Sequence, residues 1–359
     1  MSNKNESGNY FEDFTLEQTL THATPRTVTD GDVAVYQALF GPRFALQSST
    51  IFAHGLGYPQ RPIDDLLTFH LVFGRTVPDI SLNALANLGY AGGRFGVPVY
   101  PGDTLSAISE VVGVKANSNG KTGVVWVHTR GVNQRDEAVL EFSRWAMVRK
   151  RDSDSSAPDP VVPALDKVVP LSSLRSPWHV ANGYSTVEAG SPYFWEDYEI
   201  GEKIDHIDGI TIEDADHMQA CRLFQNTARV HFNQHVEAQG RFGRRIVYGG
   251  YLISLARSLS FNGLANAQSI VAINGGRHVA PTFGEDTIYA WSEVLDKTSL
   301  TGDDQVGVLR LRTVACKNKP CSDFPYQDSD GSFDPAVVLD FDYSVLMPKR
   351  PGKREKKKP

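Results

Sequence analysis

The sequence predicts an α+β protein of two repeated units, each a central helix followed by long antiparallel strands that curl around it. Three observations carry that expectation. A chain of 359 residues exceeds what one average core encloses. The chain is also written twice, and each copy repeats one order of local signals.

The duplication is direct. Glu12-Asp13-Phe14 recurs as Glu196-Asp197-Tyr198 and His22 as His206, at a constant offset of 184 positions. Thr27, Val28, Asp30 and Asp32 answer Thr211, Ile212, Asp214 and Asp216; Leu39-Phe40 answers Leu223-Phe224, and Arg61 answers Arg245. After one deletion, Gly92-Gly93-Arg94 meets Gly275-Gly276-Arg277, Pro98 meets Pro281, Asp103-Thr104 meets Asp286-Thr287, and Ser109-Glu110-Val111 meets Ser292-Glu293-Val294. The match closes with VLEF (139–142) against VLDF (338–341), so the second copy carries a longer loop, 317–335. Self-similarity at fixed spacing marks a repeated structural unit.

Within each copy a short acidic, aromatic opening strand leads to TVTDGDV or TIEDADH, where Thr or Asp before an apolar-periodic run is a helix N-cap signal. A mostly apolar stretch follows, 63–74 or 247–259, long enough for a buried helix. Runs rich in alternating and β-branched residues come next: SLNALANLGYA, TLSAISEVVGV and GVVWVHTRGV in one copy, SIVAINGG, TIYAWSEVL and VGVLRLRTV in the other. The division expected is an N-terminal unit 1–152, a Pro/Ser-rich semi-rigid connector 153–190, a C-terminal unit 191–348 and a basic, disordered tail 349–359.

Composition excludes several classes. Hydrophobic residues at 41 % with 31 Gly and 20 Pro describe a globular chain with many turns. A net charge of −6 gives no basic field to draw nucleic acid, the tail from Lys349 through Lys358 apart. Three cysteines fit a reducing compartment and make no disulfide framework. Without a signal-like N-terminus or a run of 18 apolar residues, the expectation is a cytoplasmic protein with no membrane partner. Asn119-Gly120-Lys121-Thr122 ends like a phosphate loop, but the required upstream glycine is Lys115, so this stretch is expected to be a hairpin turn. His231 and His235 have helical i, i+4 spacing and His217 is near, yet a third ligand is missing, and no metal is expected.

Copy two reads Leu223-Phe224-Gln225-Asn226-Thr227-Ala228-Arg229-Val230-His231, then Arg245-Ile246-Val247-Tyr248-Gly249-Gly250 into the apolar helix. This resembles the MaoC-like, or hydratase 2, enoyl-CoA hydratases, whose fingerprint is close to GDxNPIH followed by a (I/V)HG segment that opens the helix. The resemblance implies a double hot-dog fold, with His231 at the family's catalytic histidine, Asn226 at its catalytic aspartate, Val230 at its aliphatic position and Gly249 at the helix-opening glycine. Longer stretches, among them HATPRTVTDGDVAVYQALFGPRFALQSS and VYPGDTLSAISEVVG, are similar to the mesaconyl-CoA hydratases (β-methylmalyl-CoA dehydratases). That similarity implies reversible hydration of an acyl-CoA thioester without metal or redox cofactor.

Such chemistry needs a base for water, an acid for the α-carbon and donors for the thioester oxygen. His231 is the expected acid/base, Asn226 the group that orients water, and Gly249 and Gly250 the backbone donors at a helix start. Asn cannot shuttle a proton as Asp does, so His231 acts alone or with Glu237 or Asp216. Arg229, Arg245 and Tyr248 are expected to bind substrate, the arginines by pairing with its carboxylate. Copy one has Pro42, Gln47 and Asp65 at the places of Asn226, His231 and Gly249, and is expected to be catalytically dead. Asp64 and Asp65 leave acyl-CoA thioester hydrolysis as an alternative, and a non-catalytic acyl-CoA binding protein as another. A homo-oligomer is expected only from the general habit of such proteins.

Overall fold

A computed structural model describes residue 4 and residues 7–156, 158–174, 176–178, 184–300 and 304–351. Copy one supplies strands β1 (Thr19–Thr27), β2 (Ala84–Phe95), β3 (Thr104–Ala116), β4 (Thr122–Val132) and β5 (Ala138–Arg149). Copy two supplies β6 (Lys203–Asp205), β7 (Ile210–Thr211), β8 (Ser269–His278), β9 (Thr287–Ser299), β10 (Val306–Lys317) and β11 (Val337–Pro348). One antiparallel sheet runs β1-β3-β4-β5-β2-β8-β11-β10-β9-β6, with β7 beside β9. The second half of this order repeats the first in reverse, as expected for two like units joined edge to edge through β2 and β8.

Each unit wraps its sheet around a helix pair: α1 (Asp30–Phe40) and α2 (Asp65–Thr76) in copy one, α3 (Asp214–Phe224) and α4 (Gly249–Leu259) in copy two. Helices α2 and α4 are buried along nearly their whole length, which their apolar sequence on all sides requires. Residues equivalent in the two copies meet each other. The rings of Phe40 and Phe224 stack 6.1 Å apart, and His70 Nε2 lies 2.8 Å from Ser254 Oγ. Across the β2–β8 seam Tyr90 pairs with Gly276 and Gly93 with Ile273, again a swap of equivalents. These pairs mark an approximate twofold axis through the core of a double hot-dog.

The duplicated histidines are structural. His22 Nε2 binds Ser109 Oγ at 2.8 Å, and that hydroxyl binds Thr129; His206 repeats this with Ser292 and Thr313. Thr29 caps α1 through Asp32 N, whereas Glu213 starts α3 without a side-chain cap. Asn117 N donates to Thr122 O at 2.9 Å, closing the hairpin expected around Asn119-Gly120.

Three sequence expectations, on the opening strands, the connector and the tail, are corrected. The opening segments Phe11–Asp13 and Trp195–Asp197 are single 3₁₀ turns, because Asp13 and Asp197 each reach back to cap a backbone N–H three residues earlier. The connector is more than a spacer: Val161 bridges to Val114, and Val169, Leu174 and Trp178 are buried in a cluster that includes Phe52 and Val308. The long loop of copy two also folds inward, with Phe324 and Tyr326 against Trp291, whose Nε1 donates to Pro325 O at 3.0 Å. The tail begins bound: Arg350 donates to both carboxylate oxygens of Asp197 at 2.6 and 2.7 Å, and Lys349 Nζ donates to Ser299 Oγ. The rest of the basic run, from Lys353 on, lies outside the described residues. Among the described residues no helix is long and apolar enough to cross a membrane.

Candidate active site

The turn after α3 builds the first wall. Gln225 takes φ +54°, a left-handed value that reverses the chain. Asn226 is buried behind it; its N–H donates to Cys221 O at 2.9 Å and its Oδ1 accepts from Ala228 N at 3.3 Å. That side chain therefore shapes the turn that launches a single helical turn, Arg229–Phe232. His231 rides on this turn. Its Nδ1 donates to Ile246 O at 3.0 Å while Ile246 N donates to Val230 O at 3.0 Å, so two backbone segments clamp the ring. With its proton on Nδ1, the ring keeps a lone pair on Nε2, the form a general base needs. Burial pushes its pKa down to about 4, against an ordinary 6.5, so the base form persists well below neutrality.

The second wall is the start of α4. Tyr248 heads the helix, its N–H donating to His217 Nε2 at 3.0 Å, and its ring lies 5.6 Å from that of His231. The His217 ring stands edge-on to His231 at 6.3 Å. Gly249 and Gly250 take the first two helical positions, where a peptide N–H has no carbonyl of its own helix to bind. Both glycines are needed for close approach: a Cβ on Gly249 would overlap the ring of His278, and one on Gly250 the ring of Tyr248.

Sequence reasoning missed His278. It ends β8, reaches over Gly249, and its Nε2 lies 3.2 Å from the hydroxyl of Tyr90 on β2 of the other copy. Its Nδ1 is buried without a hydrogen-bond partner among the described residues. Burial, with His231 nearby, pushes its pKa down to about 4. The signal that would have found it stands one residue past the matched Gly-Gly-Arg, where copy one has Phe95.

A matching family model, mesaconyl-CoA hydratase, spans residues 1–160. Over 351 residues, 98 % of this chain and all of the relative, the sequence is 66 % identical to the β-methylmalyl-CoA dehydratase of Chloroflexus aurantiacus. The chain belongs to the mesaconyl-CoA hydratase family. It is thus a hydro-lyase by kinship, and the mesaconyl-CoA hydratase of Cereibacter sphaeroides is 55 % identical over 96 % of it and the whole of that relative. Among solved structures, a MaoC domain protein from Chloroflexus aurantiacus superposes with a TM-score of 0.96 at 66 % identity, covering 98 % of this chain and all of that one. A Mycobacterium tuberculosis protein with a double hotdog fold superposes at 0.74 with 25 % identity, covering 95 % of this chain and 98 % of its own.

In this hydratase-family chain the two predicted arginines part company. Arg229 turns to copy one, binding Asn83 Oδ1 and, at 3.4 Å, Ser7 O, so it ties the halves together. Arg245 stays beside the site; its Nη2 is 3.9 Å from Asp214, and its Nε is buried without a partner among the described residues. Neither Glu237 nor Asp216 hydrogen-bonds His231, whose contacts are the carbonyl of Ile246 and the rings of Tyr248 and His217.

The equivalent place in copy one is a different cleft, about 500 Å³ including its open mouth, lined by Gln47, Tyr58, Asp65, Phe95 and Ile270 among others. Gln47 Nε2 donates to Gln268 O at 2.9 Å. The helix cap there is Asp64, accepting from Leu66 N at 2.8 Å. Asp65 instead accepts from Ile270 N across the seam at 2.8 Å. Burial first, then the charge of Asp64, pushes Asp65 up to about 8.

Proposed function

We propose that this hydro-lyase interconverts mesaconyl-CoA and β-methylmalyl-CoA in copy two, with His231 as its acid/base. Near full-length identity to the Chloroflexus dehydratase supports the substrate. The observation that carries the mechanism is the clamped His231 ring, its Nδ1 spent on Ile246 and its Nε2 left open beside the head of α4. In the hydration direction His231 Nε2 takes a proton from water as oxygen bonds to the β-carbon. The displaced π electrons move onto the thioester oxygen, which the N–H groups of Gly249 and Gly250 and the positive end of α4 stabilise. The imidazolium then returns the proton to the α-carbon, and the thioester carbonyl re-forms.

Asn226 contributes through its amide. Its oxygen is engaged by Ala228 N, which leaves the NH₂ to hold the oxygen of water. Arg245 supplies the guanidinium for the substrate's free carboxylate, because Arg229 is committed to Asn83. Copy one is catalytically silent: Gln47 cannot cycle a proton, and Asp64 caps the helix start that an anion would use.

The test is incubation of the purified chain with mesaconyl-CoA, following loss of enoyl absorbance, with a thiol reagent in parallel. Hydration without thiol release is the expected result. Release of free CoA thiol points to thioester hydrolysis, and binding without turnover to a scaffold; either overturns the proposal.

A further inference from the structure

We propose that His278 is a further catalytic residue of this site: its Nδ1–H gives the thioester oxygen a third hydrogen bond beside Gly249 and Gly250, and Tyr90 of the other half holds the ring in the tautomer that makes this possible. The inference rests on the hydration reading above.

Three observations carry it. First, Nδ1 of His278 is buried and has no partner among the described residues. Folded proteins seldom leave such an atom unsatisfied, and a ligand atom that arrives during turnover is one explanation. Second, the ring lies against Gly249, so close that no side chain fits there. The missing partner is thus sought where the first free N–H of α4 already waits for an oxyanion. Third, the duplicated frame places Phe95 at the equivalent position of the silent copy, where the helix start carries Asp65 and no anion is to be bound.

Tyr90 explains the tautomer. Its hydroxyl lies 3.2 Å from Nε2; when it donates there, the single proton of a neutral ring must sit on Nδ1. The depressed proton affinity of this buried ring keeps it neutral during turnover, so it donates a hydrogen bond without becoming a second titrating acid. No proton is transferred by His278. Water's proton passes to His231 and on to the α-carbon, while the His278 hydrogen bond strengthens as charge gathers on the thioester oxygen and relaxes as the carbonyl re-forms.

The test uses the full chain with mesaconyl-CoA and four variants: His278→Phe, which copies Phe95, His278→Gln, Tyr90→Phe and the double variant Tyr90→Phe/His278→Phe, which leaves no orphaned hydroxyl. Loss of one oxyanion donor predicts a fall in kcat of about 10²-fold for both variants lacking His278 and carrying Phe there, with KM within about threefold. The amide N–H of His278→Gln is expected to restore at least about tenfold of that loss. Tyr90→Phe is expected to cost about tenfold in kcat through the tautomer, with its acid limb unmoved, since that limb belongs to His231. Thermal melting identifies a folded variant, and the double variant decides if His278→Phe alone is unstable. The inference fails if a folded His278→Phe keeps more than half of the wild-type kcat, if His278→Gln is as inactive as His278→Phe, or if the acid limb moves in any of them. A wild-type chain that does not hydrate mesaconyl-CoA at all removes the underlying function instead, and is told apart by that control.

Discussion

The two halves share one plan and differ most around one helix start. Copy two holds His217, His231 and His278 around a helix that opens with two glycines; copy one has Val33, Gln47 and Phe95 at the equivalent places and opens its helix with two aspartates. One frame therefore presents bare peptide N–H groups to an imidazole, while the other satisfies those groups from within. The difference teaches that a helix start stays open to an anion only while nothing in the chain fills it.

The comparison breaks most sharply at His231. His231→Ala is expected to lower kcat by about 10³-fold or more with the melting temperature little changed, read from enoyl absorbance and thermal unfolding. Gln47→His in copy one is expected to restore nothing, because Asp64 still caps its helix start. Next comes Gly249→Ala. Its methyl overlaps the His278 ring and is expected to reduce kcat about 10²-fold, measured with the same assay. Arg245→Gln is expected to raise KM for mesaconyl-CoA by about tenfold while leaving crotonyl-CoA, which lacks the second carboxylate, nearly unchanged.

Acid sharpens the contrast by a different route. His217 is held down to about 3, and His231 and His278 to about 4, in each case first by burial, against an ordinary 6.5 in an unfolded chain. Between about 6.5 and 4 the unfolded chain binds more protons, so stability is expected to fall as pH drops through that window. The acid limb of kcat/KM is expected near 4, below the ordinary histidine value, as His231 protonates. Asp65 has the opposite sign. It stays protonated in the fold up to about 8, so its contribution weakens as pH rises from 3.8 toward 8. Asp65→Asn keeps an acceptor for Ile270 N and is expected to raise the melting temperature slightly at pH 8, with activity within about twofold, the smallest effect of this set.

The duplication made the fold legible, because two copies of one pattern constrain each other's strands and helices. That His231 and the paired glycines set copy two apart was legible for the same reason: copy one served as a blank. That Arg229 turns to copy one was not legible, since proximity in sequence says nothing about which half a long side chain turns to. His278 and Tyr90 escaped because they meet only through the β2–β8 seam, between residues nearly two hundred positions apart, and no local period announces that pairing. The 3₁₀ turns at Phe11 and Trp195 escaped for a smaller reason: aromatic and acidic residues in a short run fit a strand as well as a capped turn until the Asp13 and Asp197 carboxylates are seen folding back.

The stacking of Phe40 on Phe224 and the His70–Ser254 contact occur within one covalent chain. In a pair of separate subunits such contacts would loosen as the protein is diluted, and both sides of the axis would have to carry the same residue. A tether removes both restrictions: specific activity is expected to hold steady down to nanomolar enzyme, and each side of the axis is free to acquire residues that the other could not tolerate.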